Sequence, residues 1–384
     1  MKPETALIHI GQDFEPTSRA IVPPPYLTST YVQESPGVSQ YEYGRTDNPS
    51  FRNLEAALTA IEIGATDSIV YSSGTGAIGA IVQLLKSGDH ILCDKCTYSG
   101  TKRLFLECYG QFGIKVDFAD ATNIDQFAEA VCPETQLIWI ECPVNPLLTV
   151  NDIAAIASIK RPKTCLLIVD STLATPINLS PLSLGADVTL HSTTKYISGH
   201  TDLIGGALCC KNQVIADKLR WRRNALGLNP SAFDCWLTQR SVKTLSVRMA
   251  KHQENAMQFA MWLQSQSFIK CVYYPGLPSF PQYKLANSQM RGFSGMISAV
   301  FNLSPDKIDE FLMNLRFFSL AESLGGVESM VDYPYRMTQS SLTPKERKES
   351  GVPNELVRFS IGIEDCEDLI EDVSRAITVI GTQK

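Results

Sequence analysis

The sequence predicts an α/β fold: a large, mostly parallel sheet covered by helices on both faces, followed by a smaller α+β domain. Three observations predict it. Short apolar strands alternate with amphipathic helical stretches from Thr66 to Val169. The pattern changes near Ser241, where a long helical period (Leu245, Met249, Met257, Met261) begins. And the chain's 384 residues exceed the roughly 250–300 at which one hydrophobic core stops growing. The expected division is an arm over 1–48, a large domain over 49–243 and a small domain over 244–384.

The arm shows no sustained period. Pro23-Pro24-Pro25 and the polar stretch Tyr41 to Pro49 suggest an extended segment tied down by something other than its own core. A helix starts near Ser50 on Leu54, Leu58 and Ile61. Strand Ser68–Ser72 leads through Ser73-Gly74-Thr75-Gly76 into a helix ending by Gly88. Strands then follow at 90–93, 115–118, 137–140 and 165–169, with helices over 104–112, 124–131 and 153–159 between them. In the second domain the pattern gives a strand at 296–301, a helix over 307–315, a strand at 357–361 and a closing helix over 368–380. Thr343-Pro344-Lys345-Glu346 is a capping box with proline at the first helical position, and Gly351 is a stop.

Composition narrows the function classes. Apolar residues make up 44% and charged residues 19%, the balance of a soluble globular protein. A formal charge of −6 argues against nucleic acid as the main partner, and the basic run Arg220 to Arg223 suits a helix face or a subunit contact. No run approaches the ~18 apolar residues of a membrane span. Met1 to Gly11 has no apolar signal region, and the eleven scattered cysteines suit reduced thiols, so a cytoplasmic protein is expected. Cys93 and Cys96 form a lone CxxC without a second pair, too little for a metal site.

Chemistry-bearing residues gather around Asp187 to Thr201, where a strand ends in Ser192, Thr193 and Thr194 and then presents Lys195. Hydroxyls beside an amine suit a phosphate close to a nucleophile, although a lone lysine is more often a solvated surface residue. Gly74-Thr75-Gly76-Ala77-Ile78-Gly79 is a literal G-x-G-x-x-G between a strand and a helix, with Asp94 at the end of the next strand. That arrangement allows a nicotinamide dehydrogenase. Its shared physics is anion binding at a helix N-terminus, whichever cofactor carries the phosphate. Asp170 ends a wholly apolar strand and needs a cationic partner, which a protonated pyridine nitrogen supplies. Tyr98 follows the strand at 90–94, where a ring could lie on a flat cofactor. Lysine and strand-end aspartate together have no use in a nicotinamide site, whereas pyridoxal phosphate uses both.

These residues resemble, over nearly the whole length, the Cys/Met-metabolism pyridoxal-phosphate enzymes. The matching segments are Tyr43-Gly44-Arg45 with Asn48-Pro49, Ser72-Ser73-Gly74, Tyr98 with Gly100-Thr101, and Asn145-Pro146-Leu147. They continue with Val169-Asp170, His191-Ser192 with Thr194-Lys195-Tyr196, Gly199-His200, Glu322 to Gly326, and Arg358 to Glu364. The resemblance implies the aspartate-aminotransferase type of fold, with a seven-stranded large sheet. It implies that Lys195 holds the cofactor covalently and moves the substrate α-proton, that Asp170 pairs with the ring nitrogen, and that Tyr98 stacks on the ring and takes part in catalysis. Gly74, Thr75, Ser192 and Thr194 would hold the phosphate. Tyr43 and Arg45 would reach the phosphate of a neighbouring subunit, which implies a homo-oligomer, usually a tetramer. Arg358 would grip the substrate α-carboxylate, with Asn145 and Ser323 close by, while Glu42, Glu322 and Arg103 would face its distal end.

Four positions depart from the family pattern: Thr75, Val144, Ser171 and Gln339. Two carboxylates, Glu42 and Glu322, suit the distal ammonium of cystathionine. The expected activity is therefore a cystathionine lyase of methionine biosynthesis, cleaving by β-elimination to homocysteine, pyruvate and ammonia. Cystathionine γ-synthase and cystathionine γ-lyase stand as alternatives.

Overall fold

Runs of four to seven residues build the large sheet, buried along nearly their whole length except in the edge strand at 115–119, which has no buried residue. They are β1 (Asp67–Tyr71), β2 (His90–Asp94), β3 (Lys115–Ala119), β4 (Thr135–Glu141), β5 (Leu166–Asp170), β6 (Val188–His191) and β7 (Gly206–Cys210). The computed structural model describes residues 1–338, 340 and 351–382. Strand order is β1-β7-β6-β5-β4-β2-β3, and β7 is antiparallel to both its neighbours. All other pairs are parallel, so β1, β2, β4, β5 and β6 end on one side of the sheet. That side is where open α/β sheets bind ligands.

A second sheet contains β8 (Ile269–Tyr273), β9 (Met296–Phe301), β10 (Ser319–Leu320), β11 (Met330–Asp332) and β12 (Leu356–Ser360), in the order β10-β11-β12-β9-β8. Helix Leu245–Gln264 belongs to both cores. Its Leu245 and Met249 are buried with the large-sheet residues, while Ala256, Phe259 and Leu263 pack with the small sheet.

The regular elements stand close to their expected places, and the exceptions have physical reasons. The expected helix over 104–112 begins earlier, as Ser99–Arg103, then widens into a π-helical stretch, Leu104–Tyr109, and a 3₁₀ turn. Of that stretch Phe105 is the buried residue, packed edge-on against Trp139 at 5.5 Å. Strand β7 and helices Gln213–Leu226 and Ala232–Val242 went unread in the sequence, the first helix because its charged run masks the apolar period. That run divides. Arg220 and Arg223 converge on the buried Glu55 at 3.1 and 2.6 Å, whereas Trp221 stays exposed with Arg222 over its ring. The arm is not wholly without a core, since helix Pro3–His9 buries Ala6 and Leu7. The capping box at 343–346 and Gln339 lie outside the described residues. All eleven cysteines are free thiols.

Candidate active site

The site is assembled at the ends of β1, β4, β5 and β6. Ser73 caps helix Gly74–Val82, its hydroxyl accepting the Gly76 N–H at 2.9 Å. The Gly74 and Thr75 amides precede any intrahelical acceptor, so they point outward as donors. Glycine is required here by space: a Cβ on Gly74 would stand 3.1 Å from Ser192 Cβ, and one on Gly206 would stand 2.3 Å from the Ser73 carbonyl oxygen. Ser192 thus lies against the helix N-terminus, and the three form a cradle for a phosphate-sized anion. Thr194 is used differently. Its hydroxyl donates to Gly205 O at 3.1 Å and accepts from Gly205 N at 3.0 Å, which fixes the loop between β6 and β7.

Asp170 ends β5 with one oxygen, Oδ1, accepting the Thr172 N–H at 2.9 Å and the Thr172 hydroxyl at 2.6 Å. Burial raises its carboxyl pKa; the Thr172 bonds and the charges of His191 and Lys195 oppose the rise. Directly across the register, Glu141 ends β4. Its carboxylate accepts the Tyr98 N–H at 2.7 Å, and its pKa is pushed well up, first by burial and then by Asp170. Glu141 went unread in the sequence, although it carries the signal that singled out Asp170, an acid at the end of an apolar strand. The Tyr98 ring stands free above this floor, 52% exposed.

Lys195 Nζ donates to Ser323 Oγ at 2.7 Å. Burial and then the nearby Arg358 charge lower its pKa, while Asp170 and Glu322 oppose the shift. A lysine so placed is partly poised to be neutral. Arg358, on β12, donates from Nη1 to Asn145 Oδ1 at 3.1 Å and from Nη2 to Ser323 O at 2.7 Å. Each terminal nitrogen keeps a second hydrogen, the fork that a carboxylate needs. Asp332, the β11 partner of Arg358, places Oδ2 3.7 Å from Nη2, a role not legible in its local sequence.

Glu322 is an exposed side chain whose charge acts on Lys195, Asp332 and Arg358. Glu42, Tyr43, Arg45 and Arg103 are exposed, and Arg45 is hydrogen-bonded to Asn224, with no bond to this cradle. The acid required by a dinucleotide site is absent in function: Asp94 is buried and already held by Asn151 Nδ2 and the Ala121 and Cys96 amides. The strand order also differs from the dinucleotide fold. Both findings set aside the nicotinamide reading.

The donor set fits pyridoxal phosphate: outward amides and a hydroxyl for the phosphate, an amine for the aldehyde carbon, an acid for the ring nitrogen and a free aromatic ring for its face. Comparison with known proteins agrees. The Cys/Met metabolism PLP-dependent enzyme family matches residues 4–378. The chain belongs to this family. Its relatives include the cystathionine gamma-lyase of Dictyostelium discoideum, 41% identical over 375 residues, covering 97% of each chain. The cystathionine beta-lyase of Coxiella burnetii is also 41% identical, over 377 residues and 97% of each chain. The structure of cystathionine gamma-lyase from Lactobacillus plantarum complexed with L-serine superposes with a TM-score of 0.95 at 37% identity, covering 99% of this chain and 100% of that one. Like the rest of the family, this enzyme depends on pyridoxal phosphate and has a large mostly parallel sheet with a smaller C-terminal domain.

Proposed function

We propose that the enzyme is a carbon–sulfur lyase acting on cystathionine. The observation that carries this reading is Lys195, an amine held by Ser323 between the Arg358 fork and the Asp170 carboxylate. Arg358, with Asn145, receives the substrate α-carboxylate and so directs the α-hydrogen toward Lys195. Lys195 would hold the cofactor, and its lowered pKa suits it to move the α-proton. Gly74, Thr75 and Ser192 would hold the phosphate, Asp170 would pair with the ring nitrogen, and Tyr98 would lie on the ring. Bound pyridoxal phosphate supplies the electron sink for the charge left at the α-carbon. Glu322, with Glu42 from the arm and Arg103, would face the distal end of the substrate, Glu322 being the one whose charge acts on Lys195 and Arg358.

β-Elimination is the first reading, because it needs proton removal at the α-carbon alone before the thiolate departs and is protonated, whereas γ-elimination needs a further proton removed from the β-carbon. γ-Elimination is the second, supported by the names of the Dictyostelium and Lactobacillus proteins. Products from cystathionine separate the two: pyruvate with homocysteine for the first, 2-oxobutyrate with cysteine for the second. Formation of cystathionine from cysteine and an acyl-homoserine would instead indicate a synthase. Replacing Lys195 with Ala should abolish both the elimination and the bound-cofactor absorbance near roughly 420 nm. An intact band in that variant would sink the assignment of Lys195.

We further propose a homo-oligomer, a tetramer of paired dimers, in which Tyr43 and Arg45 serve the neighbour's phosphate. The exposed apolar side chains of the arm, Leu27 and Val32 among them, support it. A cytoplasmic setting and a place in methionine biosynthesis complete the proposal.

A further inference from the structure

The opposite ends of the same strands carry a second cluster that the chemistry above does not use. His90 opens β2 and Thr135 opens β4, and the two are paired across the sheet. Cys132, just before β4, places Sγ 3.3 Å from His90 Nδ1. The Cys132 N–H donates to Thr135 Oγ1 at 2.9 Å, which leaves the hydroxyl proton free to turn toward His90 Nδ1 at 2.8 Å. On the far side of the ring, Nε2 lies 3.3 Å from Asp117 Oδ2 on β3. The Asp117 charge near Nε2 favours the tautomer with the proton there, and the Nδ1 lone pair is then shared between the Thr135 hydroxyl and the Cys132 thiol, which itself lies 3.3 Å from Thr135 Oγ1. A thiol, a base and a carboxylate that orients the base are the parts of an activated nucleophile.

Exposure suits that use. His90 is 2% exposed, Cys132 is partly open, and the Asp117 side chain is 75% exposed. Burial pushes up the thiols of Cys93, Cys96, Cys142, Cys165, Cys209, Cys210, Cys235 and Cys366. Among the described residues no cysteine but Cys132 has an imidazole within hydrogen-bond distance. The groups facing His90 are Asp117 and Lys115 from β3, and Glu134, Thr135 and Cys132 from the entry to β4. Burial lowers the imidazole pKa most, with Lys115 adding to it and Asp117 and Glu134 opposing, so the ring stands neutral and able to accept a proton.

We propose that Cys132 is a modification site at which a small disulfide is exchanged, with His90 as base and Asp117 as its orienting acid. The Cys132 proton moves to His90 Nδ1 as the sulfur attacks one sulfur of the disulfide. A new S–S bond forms to Cys132, the old one breaks, and the departing thiolate takes a proton from the imidazolium. One disulfide is consumed and one formed. The site is independent of the lyase reading: Thr135 and Glu141 lie at opposite ends of β4, about 20 Å apart by strand rise.

The test treats the holoenzyme at pH 7 with substoichiometric 5,5′-dithiobis(2-nitrobenzoate) and maps the mixed disulfide by peptide mass spectrometry. Cys132 should be modified about tenfold faster than the exposed Cys108 in the same sample. His90→Gln should slow Cys132 about tenfold, and Asp117→Asn should slow it in the same direction, with Cys108 and the cofactor band unchanged as evidence of an intact fold. Cys108 reacting first overturns the proposal. So does a Cys132 rate that neither variant changes.

Discussion

Asp332 is 1% exposed; burial raises its carboxyl pKa, and the Arg358 charge and then the Thr338 side chain oppose the rise. What holds its charge is Arg358 across the register, 3.7 Å away. The same guanidinium must release part of its field to the substrate carboxylate. Asp332→Asn keeps the shape and removes the counter-charge, leaving a buried cation uncompensated until a carboxylate arrives. The ligand-free variant should therefore unfold at lower temperature, by an amount on the order of 3 kcal/mol for a broken buried pair. A substrate-like amino acid should restore more stability to the variant than to the parent. Thermal unfolding with and without that ligand checks both, and equal ligand-induced shifts would count against the pairing. Glu141 carried the same local signal as Asp170 and went unread, whereas Asp332 was illegible as a site residue because its role depends on strand register. Lys195, Asp170 and Tyr98 were legible because each follows an apolar strand directly in sequence.

At the scale of elements, the glycine loop was legible because phosphate cradles are local, set by a strand, a cap and a helix N-terminus. The closing contact with Gly206 comes from β7, 130 residues away, so no short motif shows it. Gly206→Ala should push its Cβ into the Ser73 carbonyl, since backbone lies 2.3 Å from that position. A cost of about 1–3 kcal/mol and weaker retention of the cofactor on dialysis are expected, the second because Gly74 is displaced with Ser73. Helix Leu245–Gln264 gives a second element-level test. Its His252 is buried between Tyr196, edge-on at 5.1 Å, and β12's exit, where Nδ1 donates to Ile361 O at 2.7 Å. Burial lowers this imidazole from 6.5 to about 4. The folded protein keeps the ring neutral while the unfolded chain takes up a proton below pH 6.5, so stability is full above 6.5 and falls as pH drops toward 4. The loss should reach roughly 3 kcal/mol, and His252→Gln should flatten that part of the denaturation profile against pH.

For the whole molecule, two sheets sharing one long helix were legible as a change of period, because burial on both faces of a parallel sheet leaves unbroken apolar runs. The arm was legible as a segment short of core, and its role toward a neighbouring copy is the part proposed above. Val32 is 97% exposed and Leu27 71%; Tyr43 is exposed as well, and Arg45 bonds Asn224 and not this chain's own cradle. Apolar side chains so exposed on a segment with little core of its own are what a neighbouring copy would bury. Because neither side chain supports the fold of the single chain, Leu27→Asp with Val32→Asp should leave each subunit folded and break the assembly. Sedimentation should then show smaller species. If the arm brings Tyr43 and Arg45 to the next subunit's phosphate, the same variant should bind pyridoxal phosphate about tenfold or more weakly, the size of a lost charge-assisted contact. Arg45→Ala should weaken the cofactor likewise while the assembly stays whole. A dissociated variant that keeps full cofactor affinity would place the phosphate contacts within one chain and remove the arm from the site.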